Sequence, residues 1–154
     1  MLLTGLLPDI TSDPAIETAT DSLEVGRSGT IVAPVGIRPP LLAAVATRAA
    51  TPLVVLTATG RDAETLTNAL ASWIPGVAML PAWETLPHER LSPQVDTMAR
   101  RIAVLRRLVH PIAGDESAGP ISVLVVPIRA FLQPIISGLA DLEPVRVRTG
   151  DILD

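Results

Sequence analysis

The chain has no cysteine, no lysine and no tyrosine, and its 154 residues include two tryptophans and one phenylalanine. Without cysteine there is no disulfide framework, no thiolate nucleophile and no thiolate metal site. Without lysine there is no Schiff-base chemistry and no lysine to sit on nucleotide phosphates. Aromatics at 2% leave little surface on which the bases of single-stranded nucleic acid can stack. Long apolar runs are missing too. Hydrophobic residues make up 48% of the chain and mean hydropathy is +0.44, but no run approaches the roughly 20 residues of a membrane span. "MLLTGLLPDI" lacks a basic region and meets Pro8 and Asp9 too early for a signal peptide. A soluble, cytoplasmic protein without membrane contact is expected.

What remains is arginine, acid and aliphatic residues. Twelve arginines stand against 16 acids, for a net charge of −4, so the chain as a whole is no polyanion binder. The charge is uneven. Residues 1–30 carry Asp9, Asp13, Glu17, Asp21 and Glu24 against Arg27, whereas 81–110 carry Arg90, Arg100, Arg101, Arg106 and Arg107 against Glu84, Glu89 and Asp96.

Apolar runs alternate with helical patterns. After an acidic segment with a short helix opened by Pro14, "GTIVAPVG" reads as a first strand and "PPLLAAVATRAA" as a helix. "PLVVLTAT" is a second strand, near-continuously apolar as a strand buried on both faces should be. "GRDAETLTNALASWI" sets Leu66, Ala69, Leu70, Trp73 and Ile74 on one helical face, with Asp62 and Glu64 near its start. "GVAML" is a third strand. "SPQVDTMARRIAVLRRLV" is a helix with Ser92 as cap and Pro93 in its first turn; Val95, Met98, Ile102, Leu105 and Val109 form its apolar side, with the arginines off it. "HPIAGDESAGP" reads as a flexible polar linker, "ISVLVV" as a fourth strand, "PIRAFLQ" as a short helix stopped by Pro134, and "VRVRTGD" as an alternating strand of another type. The alternation predicts an α/β fold: an open, mostly parallel sheet with helices on both faces. The expected divisions are an acidic segment over 1–28, the α/β domain over 29–143, and the first strand of a truncated following domain over 144–154.

Chemistry is sparse. In such a sheet a nucleotide would sit on the first strand-to-helix loop, here Val35, Gly36, Ile37, Arg38 and Pro39. That loop has one glycine, an arginine near the place of the lysine, and Pro39 and Pro40, which have no N–H to donate. No nucleotide cofactor is expected. The "HERLS" of His88–Ser92 is not the H-E-x-x-H zinc pattern, and no G-x-S-x-G elbow presents Ser92 as a nucleophile. No metal and no catalytic residue are expected.

The segment "LPAWETLPHERLSPQVDTMARRIAVLRRL" closely resembles the W-E-T-L-P…S-P…D…R motif of the bacterial transcription-repair coupling factors (the Mfd family), and "ISVLVVPIRAFLQPI" resembles that family's next strand and helix. The resemblance spans roughly residues 29–154. It implies a fold similar to domain 1a of the excision-repair protein UvrB, helicase-like with a degenerate P-loop. It also implies a region of a longer DNA translocase that displaces stalled RNA polymerase from double-stranded DNA and recruits UvrA. ATP and magnesium then belong only to distant motor domains, and a UvrA-binding domain would begin near "VRVRTGD". On this reading Trp83, Glu84, Thr85, Leu86, Pro87, Ser92, Pro93, Asp96, Arg100 and Arg101 carry the family motif and a possible interface with UvrA or with other domains of the same polypeptide. Trp83 itself reads as a packing anchor. The alternatives are a nucleotide-binding helicase lobe, as in UvrB itself, and a generic α/β ligand-binding domain with an apolar pocket at the strand ends.

Overall fold

A computed structural model describes residues 2–21, 28–85, 92–115 and 117–143 of the chain. It contains α1 (Leu7–Thr11), α2 (Pro14–Asp21), α3 (Arg38–Arg48), β1 (Leu53–Thr57), α4 (Gly60–Leu70), β2 (Val77–Met79), α5 (Val95–Val109), β3 (Val123–Pro127) and α6 (Ile128–Phe131). Pro14 opens α2 as expected, and the Asp13 carboxylate accepts the Ala15 amide at 2.8 Å to cap it.

The three strands form one open, all-parallel sheet in the order β1-β3-β2. β3 lies in the middle, with Val123 opposite Leu53 on one side and Val77 on the other, and each of its five residues is buried. This is why "VLVVP" is continuously apolar: both its faces are covered. One face packs Val123 and Val125 against Ala43 of α3, Ala63 and Leu70 of α4, and Leu7 of α1. The other packs Leu124 and Val126 against Val104 of α5 and Ala130 of α6. Helices thus lie on both faces of an α/β sheet.

Chain reversals follow local chemistry. Thr59 caps α4: its hydroxyl accepts the Asp62 amide at 3.1 Å and donates to the Asp62 carboxylate at 2.7 Å. Gly76 enters β2 with φ +75°, where an added Cβ would lie 2.9 Å from the Pro120 carbonyl oxygen. No other residue type fits there.

Four expectations fail. "GTIVAPVG" is not a strand: residues 28–34 pair with nothing in the sheet, and Val32 is 95% exposed. A strand exists only through its ladder, so β-branched composition without a partner leaves this segment irregular. α5 begins at Val95 behind Gln94, with no side-chain cap, so Ser92 is not its cap. The helix is also rotated from the expected face. It buries Thr97, Arg101, Val104 and Leu105, while Val95 is 80% exposed and Met98 and Val109 face outward. Periodicity finds apolar stripes, but here the neighbouring surface offers carbonyls and a carboxylate, so the helix turns a polar pair inward. The "HPIAGDESAGP" segment is no loose linker either. Asp115 accepts the Ser117 and Ala118 amides at 2.8 and 2.9 Å, and Ile112 pairs with Ala118. Leu86, Pro87, His88 and Glu89, and the expected strand within 144–154, lie outside the described residues.

Candidate functional site

Two places merit comparison: the start of α3 and the junction between β2 and α5.

At the start of α3, Val35–Ile37 form a single 3-10 turn and Arg38, Pro39 and Pro40 open the helix. A helix start offers an anion about four unpaired N–H groups. Here Ile37 donates to the Pro34 carbonyl at 3.1 Å and Arg38 donates to that of Val35. The next two residues are prolines. Two of the four donors are spent and two do not exist. Gly36 has no positive φ, and nothing lies within 4 Å of an added Cβ, so no tight approach demands glycine there.

Beside this turn lies a cavity of about 1200 Å³ between residues 31–39, β1, α3 and α4. Its walls are largely apolar, Ile31, Val32 and Val35 facing Val55, Leu56 and Leu66, with Arg38 and Asp62 also on the lining. Of the three strands, only β1 contributes to its lining.

The junction at residues 81–85 is built differently. Arg101 is 0% exposed on α5. Its Nη1 donates to the Pro81 carbonyl at 2.6 Å, and its guanidinium lies over the half-buried Trp83 ring, 4.5 Å from the centroid. Among the described residues its Nε and Nη2 have no hydrogen-bond partner. Burial pulls Arg101 below the ordinary arginine range; a group this basic remains a cation at neutral pH. One turn earlier, the Thr97 hydroxyl donates to the Glu84 carboxylate. That bond holds Glu84 below the usual carboxylate range, against the opposing effect of desolvation, with the Glu84 and Gln94 amides and Arg129 assisting. Glu84 therefore supplies from another segment the anionic cap that Ser92 does not give α5.

From the other side, the Gln133 side chain mimics a strand partner. Its Oε1 accepts the Trp83 amide at 2.8 Å and its Nε2 donates to the Trp83 carbonyl at 3.2 Å. Arg129 Nη2 donates to the Glu84 carbonyl at 3.2 Å. Trp83, Glu84 and Arg101 are thus brought together. Asp96 and Arg100 instead form an exposed i,i+4 pair at 2.8 Å, worth a few tenths of a kcal/mol. Thr85 and Pro93 are half-buried and Ser92 is exposed. No motif in the sequence marks Thr97, Gln133 or Arg129. The spacing of Thr97, Arg101 and Val104 is itself helical, but its polar members hid that face.

The arginines of α5 form no common exposed face. Arg106 Nη1 donates to the Leu142 carbonyl at 3.2 Å and pairs with Glu143 at 3.3 Å, while Arg107 Nε donates to the Gly119 carbonyl at 2.8 Å. Among the described residues no group of three or more His, Asp or Glu side chains could hold a metal ion, and no helix is long and apolar enough to cross a membrane.

Comparison with known proteins gives a direct relationship. The chain is 47% identical over 124 residues, 79% of its length, to proteins named transcription-repair-coupling factor from Mycobacterium bovis and Mycobacterium tuberculosis. It spans 10% of the length of those relatives. No family model matches it.

Proposed function

Since the chain belongs to the transcription-repair coupling factor family, as the counterpart of one region of it, we propose that it is a non-catalytic interaction and regulatory module with a degenerate, UvrB-like helicase fold. In this reading it works within a longer DNA translocase that removes stalled RNA polymerase and brings UvrA to the lesion, with ATP and magnesium bound elsewhere in that polypeptide. The observation that carries the non-catalytic part is the start of α3. Of the amides a phosphate would need there, two are already donated within the 3-10 turn and two are replaced by Pro39 and Pro40. The junction at 81–85 supports the scaffold part: the motif's Trp83, Glu84 and Arg101 bond to Gln133, Thr97 and the Pro81 carbonyl, and Arg101 lies over the Trp83 ring, all within the chain.

UvrA is the partner to titrate, against this chain and against a version extended past Asp154. Binding by the extended version alone is the expected result and makes this region the scaffold for a neighbouring site. Absence of binding by either would overturn the recruitment role.

The cavity beside β1 favours a second reading, a small-molecule site of mainly apolar lining. It predicts that an apolar ligand raises the melting temperature and that UvrA has no effect.

A further inference from the structure

The lining of the cavity beside β1 is unevenly polar, and the topology says how. α3 leads into β1 and α4 leads out of it, so in this all-parallel sheet both helices run antiparallel to the strand, side by side on one face. Their starts therefore share one end of the cavity, beside the last residues of β1. Arg38, Asp62 and Thr57 line that end. Away from it the walls are apolar: Leu42 of α3, Leu66 and Ala69 of α4, and Trp73 just beyond. Asp62, Leu66 and Ala69 follow one side of α4 at three- and four-residue steps, a stretch about 10 Å long. The cavity is elongated, charged at one end and apolar along its length.

The two charges at the polar end are not equivalent. The Asp62 carboxylate is already held by the Thr59 hydroxyl at 2.7 Å. Among the described residues, no carboxylate or carbonyl pairs with the Arg38 guanidinium. The amides of this helix start are spent or missing, so the side chain of Arg38 is what the polar end offers an anion. A planar guanidinium fork matches the two oxygens of a single carboxylate.

We propose that this cavity takes a long-chain carboxylate, its alkyl chain lying along α4 and its head group on Arg38. This ligand class rests on the small-molecule reading of the cavity given above and makes it specific. Arg38 is exposed, and an exposed ion pair contributes little. The apolar walls therefore supply most of the affinity, while Arg38 sets the orientation and the preference for a charged head.

Dodecanoate and dodecanol, alike in chain length, test this on the chain at pH 7 and below micelle formation, with binding read by calorimetry and by amide shifts. Dodecanoate is expected to bind about fivefold tighter than dodecanol, and both should shift the amides of Leu42, Leu66 and Trp73. Arg38→Gln, a change at an exposed side chain, should abolish the preference and leave dodecanol binding as it was. Ala69→Phe, which narrows the apolar length, should weaken both ligands alike. Equal affinities for the unaltered chain, or a preference that survives Arg38→Gln, would overturn the carboxylate assignment while the apolar site stands. Shifts along the cavity with neither ligand, even where heat is released, would overturn the small-molecule reading itself and the assignment with it.

Discussion

Two proline-marked segments flank this small sheet, one at each edge, and they differ in what holds them. Beyond β2, residues 81–85 are fastened from two sides: by Thr97 and Arg101 of α5, and by Arg129 and Gln133 in and just after α6. Beyond β1, residues 28–34 have no ladder partner and leave Val32 in solvent. Apolar composition is similar in both. What separates them is side-chain donors aimed at backbone carbonyls. Hydrogen bonds fix a connector where the hydrophobic effect, which has no direction, only gathers it.

If this contrast is right, substitutions at the β2 side cost stability and those at the start of α3 do not. Arg101→Ala is expected to cost most, about 3 kcal/mol in chemical denaturation, from the space left beneath Trp83 and an orphaned Pro81 carbonyl. Arg101→Met should recover a large part of that loss, because Nε and Nη2 have no partners and a buried charge without a counter-ion is itself costly. Trp83→Ala follows at about 2 kcal/mol, below the usual cost for a fully buried tryptophan since the ring is only half-buried. Gln133→Ala should remove about 1 kcal/mol, for two backbone groups of Trp83 left to water.

Acid should loosen the same edge. Glu84 has a lowered pKa when folded, so its contribution is fully present above the ordinary glutamate range. It is lost as pH falls through the folded value. Denaturation midpoints of Glu84→Gln and wild type should therefore converge at low pH, and a constant gap down to acid would refute the Thr97 contact. Smallest of all is Gly36→Ala, expected within about 0.5 kcal/mol of wild type because neither φ nor space requires glycine there.

Much of the fold could be read in the sequence, because β1, β2, β3 and α3, α4 rest on short apolar runs and helical spacing bounded by proline and glycine. The face of α5 could not. Burying Arg101 and Thr97 depends on the Pro81 carbonyl and the Glu84 carboxylate, which periodicity does not register. The first strand misleads for the opposite reason: "TIVAPV" has the composition of a strand, but pairing is a property of two segments. At the candidate site, the defect at Pro39 and Pro40 was visible in the letters. That Ile37 and Arg38 have also spent their amides emerged only from the turn geometry.

The central claim is that this α3 start cannot hold a phosphate, and a titration with a non-hydrolysable ATP analogue and magnesium tests it most directly, followed by calorimetry and by the amide shifts of residues 35–43. The account predicts no saturable heat and no shifts in that stretch. Saturable binding that moves the Ile37 and Arg38 amides would contradict it and restore the reading of a nucleotide-binding lobe.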